Sequence, residues 1–256
     1  MNSVVETQIF KSRSPQKLRN VPIRFPTIIW VQKGHKELFL RDELMKLDPT
    51  NWLMTHADQY LTFLNIPEGI DFQSKCVTFK VAPPMEMLEN QLSDFKMPSP
   101  IIKRQVNLDY CLEFITSDGF KNLSEAAQTQ FIYGFYEVLK ELNMLSMLFP
   151  TQWNTYTQKV IHLVSNNPGF DHRLDDIAQL LFMSRATLAR KLDIEFTSFR
   201  KILREARMSF ALTLLQKSKK PIEVALACGY KSEARFSAQF KKQFDLSPSE
   251  YARTIN

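Results

Sequence analysis

The chain has 256 residues, 44% of them hydrophobic, with a formal net charge of +6. That length suits one large domain or two ordinary ones, and no run approaches the roughly 20 apolar residues of a membrane span. Three well-separated cysteines (Cys76, Cys111, Cys228) and four scattered histidines, with no HExxH or CxxC, argue against a disulfide framework or a metal site and for reduced thiols in a cytosolic protein.

The charge divides unevenly. Residues 1–150 hold 16 Lys+Arg and 17 Asp+Glu, net −1, whereas residues 151–256 hold 17 and 10, net +7. A positive excess confined to the C-terminal two-fifths points to a polyanion partner for that part, although a solvated basic surface would look the same by charge alone.

The chain opens with Met1-Asn-Ser-Val-Val-Glu-Thr-Gln, which has no apolar h-region, so a secretory signal is not expected. An arm containing Pro15, Pro22 and Pro26 follows. Then come short β-type runs, TIIWVQKG, KELFLRD, NWLMTH, QYLTFLN and SKCVTFKVA, broken by Gly34, Asp48-Pro49 and Pro67-Glu-Gly69. Short strands with regular turns predict a small barrel or sandwich. Lys33 and Lys36 flank Gly34-His35 at a predicted strand turn. They are either solvated turn residues or contacts for an anionic effector in the apolar interior of a barrel. Pro83-Pro84 closes the strand region, and helices are predicted near residues 85–95 and 105–116.

In Leu123–Phe149 the apolar residues Phe131, Phe135, Val138, Leu142, Leu145 and Phe149 form a heptad seam. Ile132, Tyr136 and Leu139 add a second apolar face. One face would pack on the strands, leaving the seam either for a partner subunit or for the core of its own domain. On the first alternative Phe131, Phe135, Val138, Leu142 and Leu145 are dimer contacts. Pro150-Thr-Gln-Trp153 reads as a boundary that divides the chain into 1–150 and 151–256.

Beyond it the pattern sharpens. In HRLDDIAQLLFMSRATLARKL, Leu174, Ile177, Ala178 and Leu181 lie at helical spacing, and Ala178 is small where two helices must cross. A break at Phe182-Met183 leads to Ser184 as N-cap of a second helix with Leu188 and Leu192 on one stripe. These are the ingredients of a helix-turn-helix. The grammar recurs in PIEVALACGYKSEARFSAQFKKQF: Ile222, Ala225 and Leu226 precede a turn at Gly229. Ser232 then caps a helix striped by Phe236 and Phe240. Between the units, Phe199, Ile202, Leu203, Ala206, Phe210, Leu214 and Leu215 mark a long amphipathic linking helix.

With the stripes facing inward, Arg185, Ala186, Thr187, Ala189 and Arg190 crown the first recognition helix. Glu233, Ala234, Arg235, Ser237 and Ala238 crown the second. Arg190 and Arg235 can each pair bidentately with guanine, worth about 1–3 kcal/mol of discrimination. Glu233 can accept from a cytosine amino group, and the alanines can touch thymine methyls. Ser184, Ser232, Lys231 and Lys241 suit phosphates, which fix register without reading sequence.

The residues IA (Ile177, Ala178), SRATL (Ser184 to Leu188), R...A..LL (Arg207, Ala211, Leu214, Leu215), I..VA...GY (Ile222 to Tyr230), F...FK..F (Phe236 to Phe244) and SPSEY (Ser247 to Tyr251) resemble the C-terminal domain of the AraC/XylS family of bacterial regulators. The resemblance implies an α+β protein: a cupin-like β-barrel with helices for sensing and dimerisation in 1–150, then an all-α domain with two helix-turn-helix motifs in 151–256. It implies a sequence-specific regulator of transcription, more an activator than a repressor, in the bacterial cytoplasm at the nucleoid. Its partners would be double-stranded DNA, a second copy through the 123–149 helix, a small effector and, for an activator, RNA polymerase. No cofactor is expected, and the His/His/Glu/His ligands of metallo-cupins are missing, so neither metal nor catalysis is expected. Phe182, Phe196 and Asp245 stand where the family usually has Gly, so altered turns are expected there. Two other classes compete: an architectural DNA-binding protein with weak sequence preference, and a repair enzyme using a reactive Cys, for which Cys76 and Cys111 show no nucleophile motif.

Overall fold

The computed structural model describes residues 4–40, 43–88, 99–150, 155–217 and 219–255. Strands β1 (Val5–Ser12), β2 (Gln16–Ile23), β3 (Thr27–Lys33), β4 (His35–Leu40), β5 (Glu43–Leu47), β6 (Asn51–Thr55), β7 (Gln59–Ile66) and β8 (Phe72–Phe79) come first. Helix α1 (Met85–Leu88), strand β9 (Ile101–Lys103) and helices α2 (Val106–Ile115), α3 (Asp118–Lys121), α4 (Glu125–Glu141) and α5 (Leu145–Leu148) follow. The remaining helices are α6 (Tyr156–Ser165), α7 (Leu174–Leu180), α8 (Arg185–Ile194), α9 (Phe199–Gln216), α10 (Pro221–Ala227), α11 (Glu233–Phe244) and α12 (Pro248–Ile255). The architecture is α+β, as the resemblance implied.

The strands make two antiparallel sheets, in the orders β1-β8-β3-β6-β9 and β2-β7-β4-β5. The pattern predicts a barrel or sandwich, and the sheets do not close into the cupin-like barrel that the resemblance implies. The proline-marked arm is not an arm but strands β1 and β2. Pro22 is tolerated because β2 is the edge of its sheet, where a missing N–H costs no ladder bond. Beside it the register shifts between Leu18 and Val21, with Asn20 at φ 49, which kinks the edge away from further pairing. Gly34 turns β3 into β4 at φ 71, where a side chain would strike the Ile66 carbonyl.

Strand β3 is buried on both faces, which explains why TIIWV is unbroken rather than alternating. Ile29 and Val31 face the second sheet, while Ile28 and Trp30 face the helices with Val77 and Phe79. Helix α2 matches the helix predicted at 105–116. Of the helix predicted at 85–95 only Met85–Leu88 lies within the described residues.

The 123–149 seam is not continuous. Helix α4 stops at Glu141, Asn143 takes φ 57, and α5 starts in a new direction. Phe135 and Leu145 are buried in their own domain with Ile132, Tyr136 and Leu139. Val138 is half-buried, and Phe131 and Leu142 remain exposed. The structure thus removes Phe135 and Leu145 from any surface seam, because their burial against α2 and the first sheet is already complete.

The C-terminal helices form two small cores joined by α9. Ile202 and Ala206 close the core of α6, α7 and α8, while Met208, Ala211, Leu214 and Leu215 close that of α10, α11 and α12. Neither core is independent of the strands. The second shares its apolar cluster with the space between the sheets, and Phe25, from the turn after β2, is buried in the first, its ring meeting that of His162 edge to face with centroids 4.8 Å apart. The residues of the expected boundary, 151–154, lie outside the described residues. Among the described residues no helix is long and apolar enough to cross a membrane.

Polar pins fix the same contact. Arg24 meets Glu205 of α9 at 2.6 Å and donates to the Ile202 carbonyl at 3.0 Å, while the Tyr60 hydroxyl donates to Glu205 at 2.8 Å. Arg24 and Glu205 are both nearly buried. Removing one partner strands the other charge, a loss of about 3–5 kcal/mol for buried pairs. Glu205→Ala is therefore expected to lower unfolding free energy by about 3 kcal/mol in urea titration, and Arg24→Ala combined with it should add little.

Candidate functional site

The first helix-turn-helix is α7 and α8. Ser184 caps α8, its hydroxyl accepting from the Thr187 N–H at 3.1 Å, and Leu188 and Leu192 are buried in the core. Arg185, Ala186, Ala189 and Arg190 are exposed on the opposite face, and Thr187 is half-buried against the cap. Arg185 rests against Asp175 of α7 at 3.1 Å. The second unit repeats this with α10 and α11. The Ser232 hydroxyl accepts from the Arg235 N–H at 3.4 Å, and Phe236, Phe240 and Phe244 are buried, Phe240 tilted against Phe236 and edge to face with Phe244. Lys231, Glu233, Ala234, Arg235, Ala238 and Lys241 are exposed, with Ser232 and Ser237 half-buried. All the residues nominated for base and phosphate contact therefore lie on the cap or the outer face of their helix.

The turns depart from expectation in one way. Phe182, Phe196 and Asp245 adopt φ 56, 55 and 69, so the left-handed turns are kept and the bulky residues bear the strain. A left-handed L-residue costs about 1–2 kcal/mol, less for Asp, which is better tolerated there. Asp245 is further offset by Arg19 of β2 at 3.3 Å. Gly229 takes φ 76 where a side chain would strike the Gly169 carbonyl and Arg207. Arg207, from α9, donates to the carbonyls of Pro168 and Phe170 at 3.0 Å each, so the loop before α7 is tied to the turn of the second unit.

Beneath α9 lies a cavity of about 200 Å³ between it and the sheets. Its walls are largely apolar, including Phe10, Leu18, Ile29, Leu61 and Phe63 from the strands and Ala206, Phe210 and Leu212 from α9. Lys36 reaches this cavity and Lys33 does not. Lys33 is exposed and pairs with Asp71 at 3.2 Å, whereas Lys36 is buried. The Lys36 ammonium donates to Asn65 Oδ1 and lies over the Phe63 ring at 3.5 Å, and among the described residues it has no carboxylate partner. Burial lowers its pKa to about 7. The same burial pushes the neighbouring Cys76 thiol up to about 12, so it is held as an unreactive thiol. Strand periodicity could have separated the lysines: Lys36 shares a face with the core residue Leu38. Asn65, Arg24, Tyr60 and Glu205 carried no motif and were missed. Among the described residues no group of His, Cys, Asp or Glu is placed to hold a metal ion.

Residues 177–254 match a family model described as a helix-turn-helix domain. The C-terminal domain is of the AraC/XylS family. This AraC-type domain is 36% identical over 95 residues to the urease operon transcriptional activator of Escherichia coli, a match covering 37% of this chain and 32% of that one. It is 37% identical over 103 residues to the transcriptional regulator SirC of Salmonella typhimurium (strain SL1344), covering 40% and 35%. The chain thus spans about a third of the length of these curated relatives. The whole fold is similar to that of ToxT from Vibrio cholerae strain SCE256, solved with an unsaturated fatty acid bound. That match has a TM-score of 0.61 at 19% identity, covering 100% of this chain and 97% of that one.

The AraC-type domain's two kinds of contact should separate by mutation. Arg235→Ala is expected to relax preference at one base pair by about 1–3 kcal/mol, whereas Lys241→Ala should weaken all duplexes alike and flatten the salt slope. Fluorescence anisotropy on selected and random duplexes across a salt series distinguishes them.

Proposed function

We propose that this protein is a sequence-specific transcription regulator, an activator, that reads double-stranded DNA with α8 and α11. The observation that carries the reading is the pair of helix-turn-helix units on one rigid helix, in the segment that holds the whole positive excess. Recognition helices so joined fit consecutive major-groove segments, one turn or roughly 34 Å apart. The relatives' names, an activator of an operon and a transcriptional regulator, support the role. An activator in the bacterial cytoplasm would engage RNA polymerase once on DNA. Pairing of two copies through the 123–149 segment would rest on exposed Phe131 and Leu142, with Val138 at the rim.

The effector we assign is an amphipathic anion. A buried ammonium without a counter-charge in an apolar cavity is costly unless an anion joins it. A carboxylate with an apolar tail satisfies both Lys36 and the walls, the same chemistry as the fatty acid bound to ToxT. Because α9 forms one wall, a ligand there touches the element that sets the spacing of the recognition helices.

Selection from a random duplex pool should return a bipartite site, and recovery of no preferred sequence would leave the architectural reading instead. For the effector, Lys36 supplies the sign. With its pKa near 7 it is charged below that pH and loses its proton above it. Binding of a carboxylate then requires proton uptake. Oleate affinity by calorimetry is expected to fall by up to about tenfold per pH unit above pH 7, with Lys36→Met removing the dependence. The unliganded protein should gain stability as pH rises from about 7 toward the ordinary lysine range, since the unfolded chain holds the extra proton there.

A further inference from the structure

Two phenylalanines bracket the first recognition helix under conditions that phenylalanine does not favour. Phe182, before α8, and Phe196, after it, are 98% and 94% exposed, and both hold positive φ. Glycine would take either turn without strain. A fully solvated aromatic in a strained turn gains nothing from the folded chain, so a contact outside the chain is the place to look for its use.

The two ends of α8 differ in what they face. Phe196 borders the groove between the domains, beside Tyr60, Thr157 and Lys201. Phe182 stands two residues before Ser184, the cap of α8, and the N-terminal end of a recognition helix is the end that enters the major groove. Its turn is rigid: the Phe182 N–H donates to the Gln179 carbonyl at 3.0 Å, and the Met183 N–H to the Ala178 carbonyl at 3.0 Å. Leu180 beside it is also exposed. The turn therefore holds the exposed ring within a few residues of Ser184 and Arg185.

We propose that Phe182 is a further DNA contact, packing on a deoxyribose or thymine methyl at the edge of the groove segment read by α8. Duplex DNA offers both apolar groups there, and thymine methyls are known partners for phenylalanine. The inference rests on the DNA-reading function above, and it adds a specificity position that precedes the recognition helix.

The test compares Phe182→Gly, Phe182→Asn and Phe196→Gly in the full chain, against the duplex that wild type selects from a random pool. Both glycine variants relieve the same backbone strain, so both should melt at or above the wild-type temperature. Phe182→Gly and Phe182→Asn are expected to lose about tenfold in affinity for that duplex, with altered preference at one flanking position. Phe196→Gly should stay within about twofold of wild type, since Phe196 borders the groove between the domains at the other end of α8. Wild-type affinity in both Phe182 variants overturns the proposal. So does unchanged DNA affinity with lost transcription in vitro, which would assign the ring to a protein partner. Failure of wild type to select any duplex overturns the DNA-reading function first, and this contact with it.

Discussion

The placement of both recognition helices depends on the packing of helix α9. Its 18 residues span about 27 Å at 1.5 Å per residue, and almost no face of it is free. One end closes the core behind α8, the other closes the core behind α11, and its flank forms the roof of the cavity over the sheets. The helix cannot tilt without opening at least one of these contacts. Because cores pack densely, such an element has few alternative positions, not a continuum of them. The spacing of the DNA-reading faces is thereby a property of packing far from DNA.

Two buried cations show how differently the chain treats charge. Arg24 is nearly enclosed, and its two terminal nitrogens are engaged by Glu205 and a helix carbonyl, so it acts as a positional pin. Among the described residues Lys36 is enclosed by an amide oxygen and ring faces with no carboxylate beside it, so its charge is left incompletely neutralised. The cavity that Lys36 lines and the Arg24 pin both bear on α9, the cavity from Ala206 to Thr213 and the pin at Glu205. On the proposed function, coupling between an effector and DNA would be a matter of one rigid element touched from two sides.

Much of the C-terminal domain was legible in the sequence because its units are local. Capping serines, a small crossing residue and a helical stripe all fall within about 20 residues of one another. The strands were legible where both neighbours and turns were ordinary, as in β3, β6 and β8. They were not legible in β1 and β2, where Pro15 and Pro22 mimic an irregular arm. Only the edge position of β2 reveals why a proline can sit in it. The 123–149 seam misled for a related reason: heptad spacing persists across Asn143, but the backbone turns there and periodicity carries no record of the break. The inward lysine was within reach of a period-two reading. The Arg24–Glu205 pair was not, since the two residues are 181 positions apart and carry no shared motif.

The edge strand β2 also sets the order in which the molecule can be completed. Gln16 bonds Thr254, 238 positions away, and Asn20 accepts from Gln243 across 223. The helical units form from near neighbours, which is the regime of fast folding, while this closure joins the first strands to the last helix. Docking of the helical domain on the strands therefore rests on contacts between residues more than 200 positions apart, whereas each helix-turn-helix closes among near neighbours.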